Sequence, residues 1–380
     1  MYYLVEKKLH MRLIITLLTL SITCLSFGQQ TNETFDVGGV TREYIQYLPV
    51  GFDAATESLP VVFVLHGLGD VNSNMTNTGF KQIGDTARFI SIYPQGLTNS
   101  FGSSSWDNGT LLAPVADDIS FFNLMIDDMI LNYNVDITRV YFTGFSMGSI
   151  MSHHLACALN DRIAAIGTMS GTMSTSDIAS CVPIYKTPVM HVHGTADPTV
   201  PYDGTALPSL SLVDETMNFW INVHGCAATA DSTQLPDTAT DGLTVDRFVY
   251  QTCDPAGSVE LWRVNGGLHD FFYEPVNDFT ESIDIWMFFR KWSHSSPAAV
   301  GLNDLSKASF SISPNPSTGI FKITTEEANS VYVYTTAGKL VHTQEIISGD
   351  SQMNLSHLQS GIYIVKYGTT GELTQRVSIQ

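Results

Sequence analysis

Charged residues are scarce in this sequence, and basic residues are the scarcer kind. Only 14% of the 380 residues are charged, and 18 Lys and Arg stand against 37 Asp and Glu, a formal net charge of −19. So few cations exclude nucleic acid as a partner, because a phosphate backbone would be repelled. The 44% of hydrophobic residues excludes a disordered chain, and the length favours two domains. The acidic excess lies in residues 29–296, where it favours solubility outside the cell.

The sequence also lacks an apolar run long enough to cross a bilayer. Its one strongly apolar N-terminal segment, Leu13–Leu20, follows three basic residues and precedes the small residues Ser26 and Gly28. This pattern predicts an export signal over residues 1–28, with cleavage before Gln29. The segment is too short to span, so stable membrane insertion is not expected. A signal beginning at Met11 would be complete, which leaves the true start open.

Cysteine is rare, with five residues in the chain. Removal of the signal leaves Cys157, Cys181, Cys226 and Cys253, an even number that predicts two disulfides in an exported protein. Three pairings are possible. Sequential pairing, Cys157 with Cys181 and Cys226 with Cys253, closes two moderate loops, each stabilising by roughly 3–4 kcal/mol.

No metal or cofactor site is evident in the sequence. His191 and His193 alternate on one strand face, but no further His, Cys or Asp set has matching spacing, so packing roles are expected for both. A glycine-rich phosphate loop is also missing. The sequence therefore predicts no cofactor and no metal.

Strand-like and helix-like segments alternate through the first three quarters of the chain. A hairpin is predicted over residues 33–48. Apolar runs of strand length follow at residues 61–65, 89–93, 140–142, 163–169, 189–192 and 259–264, and helical stretches at residues 119–132, 147–159, 211–223 and 278–292. Runs that are apolar on both faces belong to a sheet covered on both sides. The pattern predicts an α/β domain over residues 29–293 with a mostly parallel central sheet.

The composition and the hydrophobic pattern of the sequence change after Trp292. Residues 294–308 are mostly small and polar and are predicted to form a linker. Short alternating strands then follow at residues 310–313, 319–324, 330–334, 339–344, 361–367 and 374–379. They predict a small all-β sandwich over residues 309–380, in which no catalytic constellation is present.

The strongest chemical motif is a G-x-S-x-G segment at Gly144–Gly148. It follows a predicted strand and precedes a predicted helix, so the glycines let the turn tighten until the hydroxyl of Ser146 stands above the sheet. A lone match would be weak, but this context makes Ser146 a candidate nucleophile.

The other members of a hydrolase triad follow from chain order. His269 lies directly after the last strand of the α/β domain, where this fold carries its general base. Asp197 lies between Ser146 and His269, after a strand, and is expected to orient His269 and stabilise its charged form. The backbone N–H groups of Met147 and Leu68 are the candidate oxyanion donors.

With these residues in place, the chain closely resembles the secreted polyhydroxybutyrate depolymerase and feruloyl esterase family. The resemblance covers roughly residues 33–293 and is carried by residues 65–67, 93–96, 139–148, 193–197, 220–226 and 266–269. It implies an α/β-hydrolase fold, Ser146, Asp197 and His269 as the triad, and a pair between Cys226 and Cys253. Ser149 and Phe271-Phe272 depart from the family pattern near the pocket, so they weaken any inference about substrate.

Four residues are candidates for contacting substrate. His66 lies in the loop beside the expected oxyanion donors, Phe101 and Trp106 lie in the loop 99–118, and Phe271 follows the candidate base. An exposed aromatic residue in such a loop can instead pack locally.

The last domain resembles the C-terminal sorting domain of the type IX secretion system. Residues 313–319, Gly338-Lys339 and residues 360–363 carry the resemblance. It implies that the domain binds the secretion machinery and directs the protein through the periplasm to the cell surface or beyond.

The expectation from the sequence is therefore a secreted serine carboxylesterase that forms an acyl-enzyme intermediate. Its expected substrates are feruloyl or acetyl polysaccharide esters or polyhydroxyalkanoate-type polyesters. A promiscuous aromatic polyester hydrolase, a peptidase on the same scaffold and a catalytically silent binding module remain as alternatives. The sequence specifies neither the natural ester nor the oligomeric state.

Overall fold

The computed structural model describes residues 28–254, 257–295, 297, 310–325, 328–335, 339–367 and 373–379. The predicted export signal, apart from Gly28, and most of the predicted linker lie outside the described residues, as does Gly338 of the sorting motif.

A ten-stranded sheet forms the centre of the α/β part. Its strands are β1 (Gln29–Val37), β2 (Val40–Leu48), β3 (Val61–Leu65), β4 (Ile90–Pro94), β7 (Val140–Phe145), β8 (Ala165–Met169), β9 (Val189–Gly194), β10 (Ala230–Gln234), β11 (Thr244–Tyr250) and β12 (Val259–Asn265). They lie side by side in the order β1-β2-β4-β3-β7-β8-β9-β12-β11-β10. A separate two-stranded hairpin consists of β5 (Leu97–Thr98) and β6 (Ser104–Ser105).

The six central strands are parallel and the outer pairs are antiparallel. The centre of the sheet is buried on both sides. All five residues of β3 are fully buried. Val61, Phe63 and Leu65 enter one hydrophobic cluster, and Val62 and Val64 enter the other. Side chains alternate across a strand, so this apolar run requires a covered sheet.

Helices cover both faces of the sheet. The helices are α1 (Asn72–Met75), α2 (Phe80–Ala87), α3 (Asp118–Tyr133), α4 (Met147–Ala158), α5 (Thr175–Ser180), α6 (Val213–His224) and α7 (Glu281–Phe289). Buried residues of α3, α4 and α6 belong to the first cluster. Those of α2 and α7 belong to the second. This is the α/β-hydrolase arrangement that the sequence predicts.

Both disulfides are present. Cys157 pairs with Cys181, and Cys226 pairs with Cys253. The first joins the end of α4 to the residue after α5, and the second joins the segment after α6 to the loop between β11 and β12.

The C-terminal residues form two small antiparallel sheets. Their strands are β13 (Phe310–Ser313), β14 (Ile320–Thr325), β15 (Asn329–Thr335), β16 (Leu340–Ile346), β17 (Gly349–Asn354), β18 (Gly361–Tyr367) and β19 (Leu373–Ile379). The sheet orders are β13-β14-β17 and β16-β15-β18-β19. A hydrophobic cluster made only of residues from these strands and their turns fills the space between them.

Candidate active site

Ser146 stands at a sharp turn between β7 and α4. Its backbone torsions, φ 55° and ψ −117°, are rare for a residue other than glycine. The turn needs glycine on both sides of the serine. A Cβ on Gly144 would lie 2.4 Å from the backbone of Gly148, and one on Gly148 would lie 2.3 Å from the carbonyl oxygen of Leu65. The G-x-S-x-G pattern is therefore a packing requirement at this position.

Asp197 and His269 are joined by a short hydrogen bond. His269 Nδ1 lies 2.7 Å from Asp197 Oδ2, and the carboxylate is fully buried while 15% of the imidazole is exposed. The other carboxylate oxygen accepts the backbone N–H groups of Thr199, at 2.7 Å, and Val200, at 2.8 Å. Because Asp197 is held in this way, the proton of His269 stays on Nδ1 and leaves Nε2 free to accept another.

The environment of Asp197 favours its ionised form. Burial alone would raise its pKa, but hydrogen bonds from His193 and His269 and from the Val200 N–H outweigh burial. The pKa of Asp197 therefore lies well below its ordinary value. An ionised carboxylate at this hydrogen-bond distance favours positive charge on the imidazole of a partner histidine.

The loops that carry Asp197 and His269 are bonded directly to each other. Ala196 N–H donates to the carbonyl oxygen of Gly267 at 2.9 Å, and Gly266 N–H donates to Thr195 Oγ1 at 2.9 Å. A Cβ on Gly194 would lie 2.3 Å from that same Gly267 oxygen. Strands β9 and β12 are neighbours in the sheet, so these contacts fix the separation of acid and base.

His269 lies against the turn that carries the candidate nucleophile. Its ring centroid is 4.9 Å from that of Phe145, the residue before Ser146. Phe145 cannot be recognised from the sequence as a neighbour of His269, because a hydrophobic residue at that place in the motif gives no signal of its partner. The structure thus brings Ser146, Asp197 and His269 to one edge of the sheet, at the carboxyl ends of β7, β9 and β12.

The loop after β3 borders Ser146. A Cβ built on Gly67 would lie 3.4 Å from the Cβ of Ser146, so the backbone that precedes Leu68 is in contact with the serine. The loop is fixed by Gly69 N–H, which donates to the carbonyl oxygen of Ser104 at 2.8 Å. Met147 is the first residue of α4, and the first N–H groups of a helix have no partner within it. Both expected oxyanion donors therefore belong to segments next to Ser146.

Two of the four expected substrate contacts are corrected by the structure. His66 and Trp106 are fully buried. His66 Nδ1 lies 2.7 Å from the Gly67 carbonyl oxygen, and its Nε2 accepts the Gly96 N–H at 2.9 Å. Trp106 Nε1–H donates to the His66 carbonyl oxygen at 2.9 Å. Both side chains connect the loop after β3 to the following hairpin, and no surface of either is left for substrate.

The other two expected contacts differ in exposure. Phe101 is 74% exposed in the connection between β5 and β6. Phe271 is half-buried and packs against the hydrophobic cluster under α7. Of these four residues, Phe101 therefore offers the most exposed aromatic side chain.

Neither a three-residue metal-binding group nor a membrane-spanning helix is found in the part of the chain that the structure describes. Within it, no three His, Cys, Asp or Glu side chains form a group that could hold a metal ion. None of its helices combines the length and the hydropathy needed to cross a bilayer.

Models of two known protein families match one segment of the α/β part and the C-terminal part of the chain. The family model described as Phospholipase/Carboxylesterase matches residues 111–214, and that of the Secretion system C-terminal sorting domain matches residues 311–380. The first match includes Ser146 and Asp197, and the second covers the C-terminal sheets.

Three of the curated proteins to which the chain is similar are named as two esterases and a depolymerase. It is 27% identical to a bifunctional acetylxylan esterase/xylanase of Neocallimastix patriciarum, over 74% of this chain and 37% of that protein. It is 27% identical to feruloyl esterase B of Piromyces equi, over 60% and 42%. It is 25% identical to poly(3-hydroxyalkanoate) depolymerase C of Paucimonas lemoignei, over 61% and 59%. The chain thus spans less than two thirds of the length of each of these relatives.

Solved structures give matches of low identity. An acetyl xylan esterase from Aspergillus awamori is 17% identical with a TM-score of 0.49, over 68% of this chain and 99% of that one. A ferulic acid esterase from Anaeromyces mucronatus is 13% identical with a TM-score of 0.44, over 72% and 90%.

The sorting domain marks the protein as secreted or exposed at the cell surface. The chain is thus similar to the phospholipase and carboxylesterase family over residues 111–214 and to curated feruloyl esterases and a polyhydroxyalkanoate depolymerase over a longer stretch, and its residues 311–380 match a secretion-system C-terminal sorting domain.

Proposed function

We propose that this protein is a serine carboxylesterase that works through an acyl-enzyme intermediate, with Ser146 as nucleophile, His269 as general base and Asp197 as the residue that orients it. One observation supports the proposal most strongly. The 2.7 Å bond between Asp197 and His269 lies at the sheet edge that also carries Ser146 in its positive-φ turn. A buried carboxylate with this partner suits a base that must gain and lose a proton in each turnover.

In the first half-reaction, Ser146 Oγ attacks the ester carbonyl carbon and its proton passes to His269 Nε2. The N–H groups of Met147 and Leu68 stabilise the oxyanion of the tetrahedral intermediate. Collapse of that intermediate breaks the bond to the alcohol oxygen, and the alcohol leaves with the proton from His269. Water then attacks the acyl-serine with His269 again as base, and release of the acid restores Ser146.

We propose esters of extracellular polymers as the substrates. Relatives are named for acetylxylan, feruloyl and poly(3-hydroxyalkanoate) esters, and each name describes that relative only. Export supports this choice, because a polymer that cannot enter the cell must be hydrolysed outside it. The exposed Phe101 provides an apolar side chain that a feruloyl ring or an aliphatic polyester can cover.

We propose that the C-terminal domain, residues 309–380, is the address for type IX secretion. The family match over residues 311–380 supports a role in a secretion system. The assignment to type IX rests on the sequence resemblance. In this proposal the domain contacts the export machinery and takes no part in ester hydrolysis.

A first test compares hydrolysis of p-nitrophenyl acetate by the wild type, by Ser146→Ala and by the control Ser232→Ala, which changes an exposed serine in β10. We expect loss of activity in Ser146→Ala only. Methyl ferulate, acetylated xylan, polyhydroxybutyrate and an aromatic polyester then define the acyl group. A wild type that binds but hydrolyses none of them would indicate a silent binding module instead.

A further inference from the structure

A line of buried polar side chains ends on Asp197. It consists of Thr168 on β8 and of His191 and His193 on β9, and all three are fully buried. Thr168 Oγ1 lies 2.8 Å from His191 Nδ1, and His191 Nε2 lies 3.1 Å from His193 Nδ1. His193 Nε2 lies 2.8 Å from the carbonyl oxygen of Val200 and 3.4 Å from Asp197 Oδ2. These contacts connect the core of the sheet to the carboxylate that holds His269.

The chemistry of the end of this line sets the direction of its hydrogen bonds. The Val200 carbonyl and the Asp197 carboxylate can only accept, so His193 Nε2 must carry a proton and share it between them. In a neutral imidazole the other nitrogen, Nδ1, is then an acceptor. His191 must therefore donate from Nε2, which leaves its own Nδ1 to accept the hydroxyl proton of Thr168, a proton that is shared with the Met190 carbonyl oxygen at 3.2 Å.

The opposite direction would require a second buried charge. If His191 were protonated on Nδ1 instead, its bare Nε2 would need a proton from His193 Nδ1, and His193 would be an imidazolium. That cation would lie within the same fully buried group as His191 and His153. Burial lowers the pKa of His191 well below its ordinary value and lowers that of His153 to about 3. The negative charge of Asp197 would favour a positively charged His193. The neutral form of the line, however, gives every ring nitrogen of His191 and His193 a hydrogen-bond partner without a buried cation.

His193 holds the acid-bearing turn at two points. Its one N–H contacts both the carboxylate of Asp197 and the carbonyl of Val200, while the Val200 N–H donates to the other carboxylate oxygen. Together with His269 and the Thr199 N–H, these groups contact both oxygens of Asp197. A carboxylate with four donors has little freedom to rotate.

We propose that Thr168 and His191 fix the tautomer of His193, and that His193 is a positioning residue that aims the Asp197 carboxylate at His269. The inference rests on the proposed function only in that Asp197 is taken as the triad acid. His193 touches neither substrate nor the reacting atoms, so its effect must pass through Asp197.

The chain contains its own control for simple packing. His153 is as deeply buried as His193, and its ring centroid lies 5.7 Å from that of His191. Its Nδ1 accepts the Trp220 indole N–H at 3.1 Å, and it forms no hydrogen bond with His191, His193 or Thr168 within the described residues. His153→Gln keeps an acceptor for Trp220 and leaves the line intact.

The first experiment is independent of activity. Nitrogen NMR of the full-length protein labelled with ¹⁵N-histidine, assigned with His191→Gln and His193→Gln, reads the protonation of each ring nitrogen. We expect both histidines to be neutral and protonated on Nε2. A proton on Nδ1 of either residue, or on both nitrogens of His193, would overturn the proposal. If the wild type hydrolyses no ester, the proposed function fails while these spectra still decide the direction of the line.

The second experiment separates positioning from packing through kinetics. In His193→Leu we expect kcat to fall about 100-fold with little change in KM, because a misaimed triad slows the chemical step and not binding. His193→Gln, whose amide N–H can reach the same acceptors, should recover most of kcat, and His153→Gln should match the wild type. Equal losses in His193→Leu and His153→Gln, or a change in KM alone, would contradict the proposal.

A near-isosteric pair covers the case in which His193→Leu does not fold. Thr168→Val removes the hydroxyl that contacts His191 Nδ1 and the Met190 carbonyl oxygen, whereas Thr168→Ser keeps both contacts. We expect about a tenfold loss of kcat in Thr168→Val, at the lower end of the loss seen when residues that orient a functional histidine are changed. Wild-type kcat in Thr168→Val would show that the tautomer of His193 is not set through Thr168.

Discussion

Ser146 holds backbone torsions that the surrounding structure must impose on it. A serine at φ 55° is costly by about 1–3 kcal/mol, so it persists only where neighbours define the turn. Gly171 is one such neighbour, since a Cβ there would lie 2.2 Å from the Ser146 carbonyl oxygen. The result is a serine held at the sharp turn between β7 and α4, at the same edge of the sheet as His269.

At this scale we predict that the three triad residues act as one unit. His269→Ala and Asp197→Asn should each reduce kcat/KM by about 10³-fold or more, and neither should reduce the residual rate of Ser146→Ala much further. Steady-state kinetics of the single and double variants measures this. A double variant far below both single variants would show that at least one residue acts outside the triad.

The sequence was sufficient to name the residues of the candidate triad, because their order and their places after strands are visible in it. It was not sufficient for the roles of His66 and Trp106, since burial depends on which loops meet. The sequence was also not sufficient for the role of His193, for which its place on a strand predicted packing. Its partner Asp197 is four residues away, but only the turn at Thr199 and Val200 brings the two side chains together.

At the scale of elements, the N-terminus of α7 controls the loop that carries His269. Glu281 is fully buried, accepts the Phe272 N–H at 3.2 Å and donates its own N–H to the Phe272 carbonyl oxygen at 3.1 Å. Burial raises the pKa of Glu281 well above its ordinary value, although the Phe272 N–H opposes the rise. The folded protein therefore keeps Glu281 protonated at a pH where the unfolded chain has lost that proton.

This raised pKa gives a pH-dependent prediction. The folded state binds more protons than the unfolded state above pH ~4.3, so Glu281 contributes stability at low pH that is lost as pH rises toward its folded pKa. Glu281→Gln cannot ionise, so its Tm should improve relative to the wild type as pH rises from about 4 to 8. Thermal melts across that range measure the difference, with the exposed Glu274→Gln as control. A difference that stays constant with pH would mean that Glu281 is ionised in the folded protein.

The disulfide at the end of α4 is predicted to stabilise the fold without serving catalysis. Cys157 and Cys181 are 24 residues apart, and opening a loop of that length should lower the free energy of unfolding by about 3–4 kcal/mol. Ser146 lies at the opposite end of α4. Urea unfolding and esterase assays at 25 °C of the double Cys→Ser variant should therefore show lower stability with activity retained. Loss of activity in the folded variant would show that the disulfide also holds the turn that carries Ser146.

Elements with strong patterns were predictable and weak ones were not. The central strands are continuous apolar runs, and the structure has a strand at each of them. Strand β10 was missed because four of its five residues are exposed and polar side chains dominate it. Strand β17 was missed for the same reason. Helix α7 begins at Glu281, three residues later than expected, because the preceding residues form the loop that Glu281 closes.

At the scale of the whole molecule, the α/β part and the C-terminal sheets have separate hydrophobic clusters. Among the residues that the structure describes, the two clusters around the large sheet contain none beyond Trp292, and the third contains none before Ile312. A region with its own core can fold alone. The chain lengths assigned to the two domains remain a prediction.

We predict that a protein lacking residues 309–380 folds and hydrolyses esters when produced without its secretion system. In the native host the same deletion should leave the enzyme in the periplasm. Thermal melts and esterase assays of the purified protein, with immunoblots of host fractions, measure both effects. An insoluble or inactive truncated protein would show that the C-terminal domain supports the α/β part.

The most direct test of the central claim is to find the atom that carries the acyl group. The full-length protein is treated with a fluorophosphonate, which reacts with activated serines, and the site is located by peptide mass spectrometry. The account predicts one label per chain, on Ser146, with labelling lost in Ser146→Ala and strongly slowed in His269→Ala. A label on any other residue, or an unlabelled wild type, would contradict it.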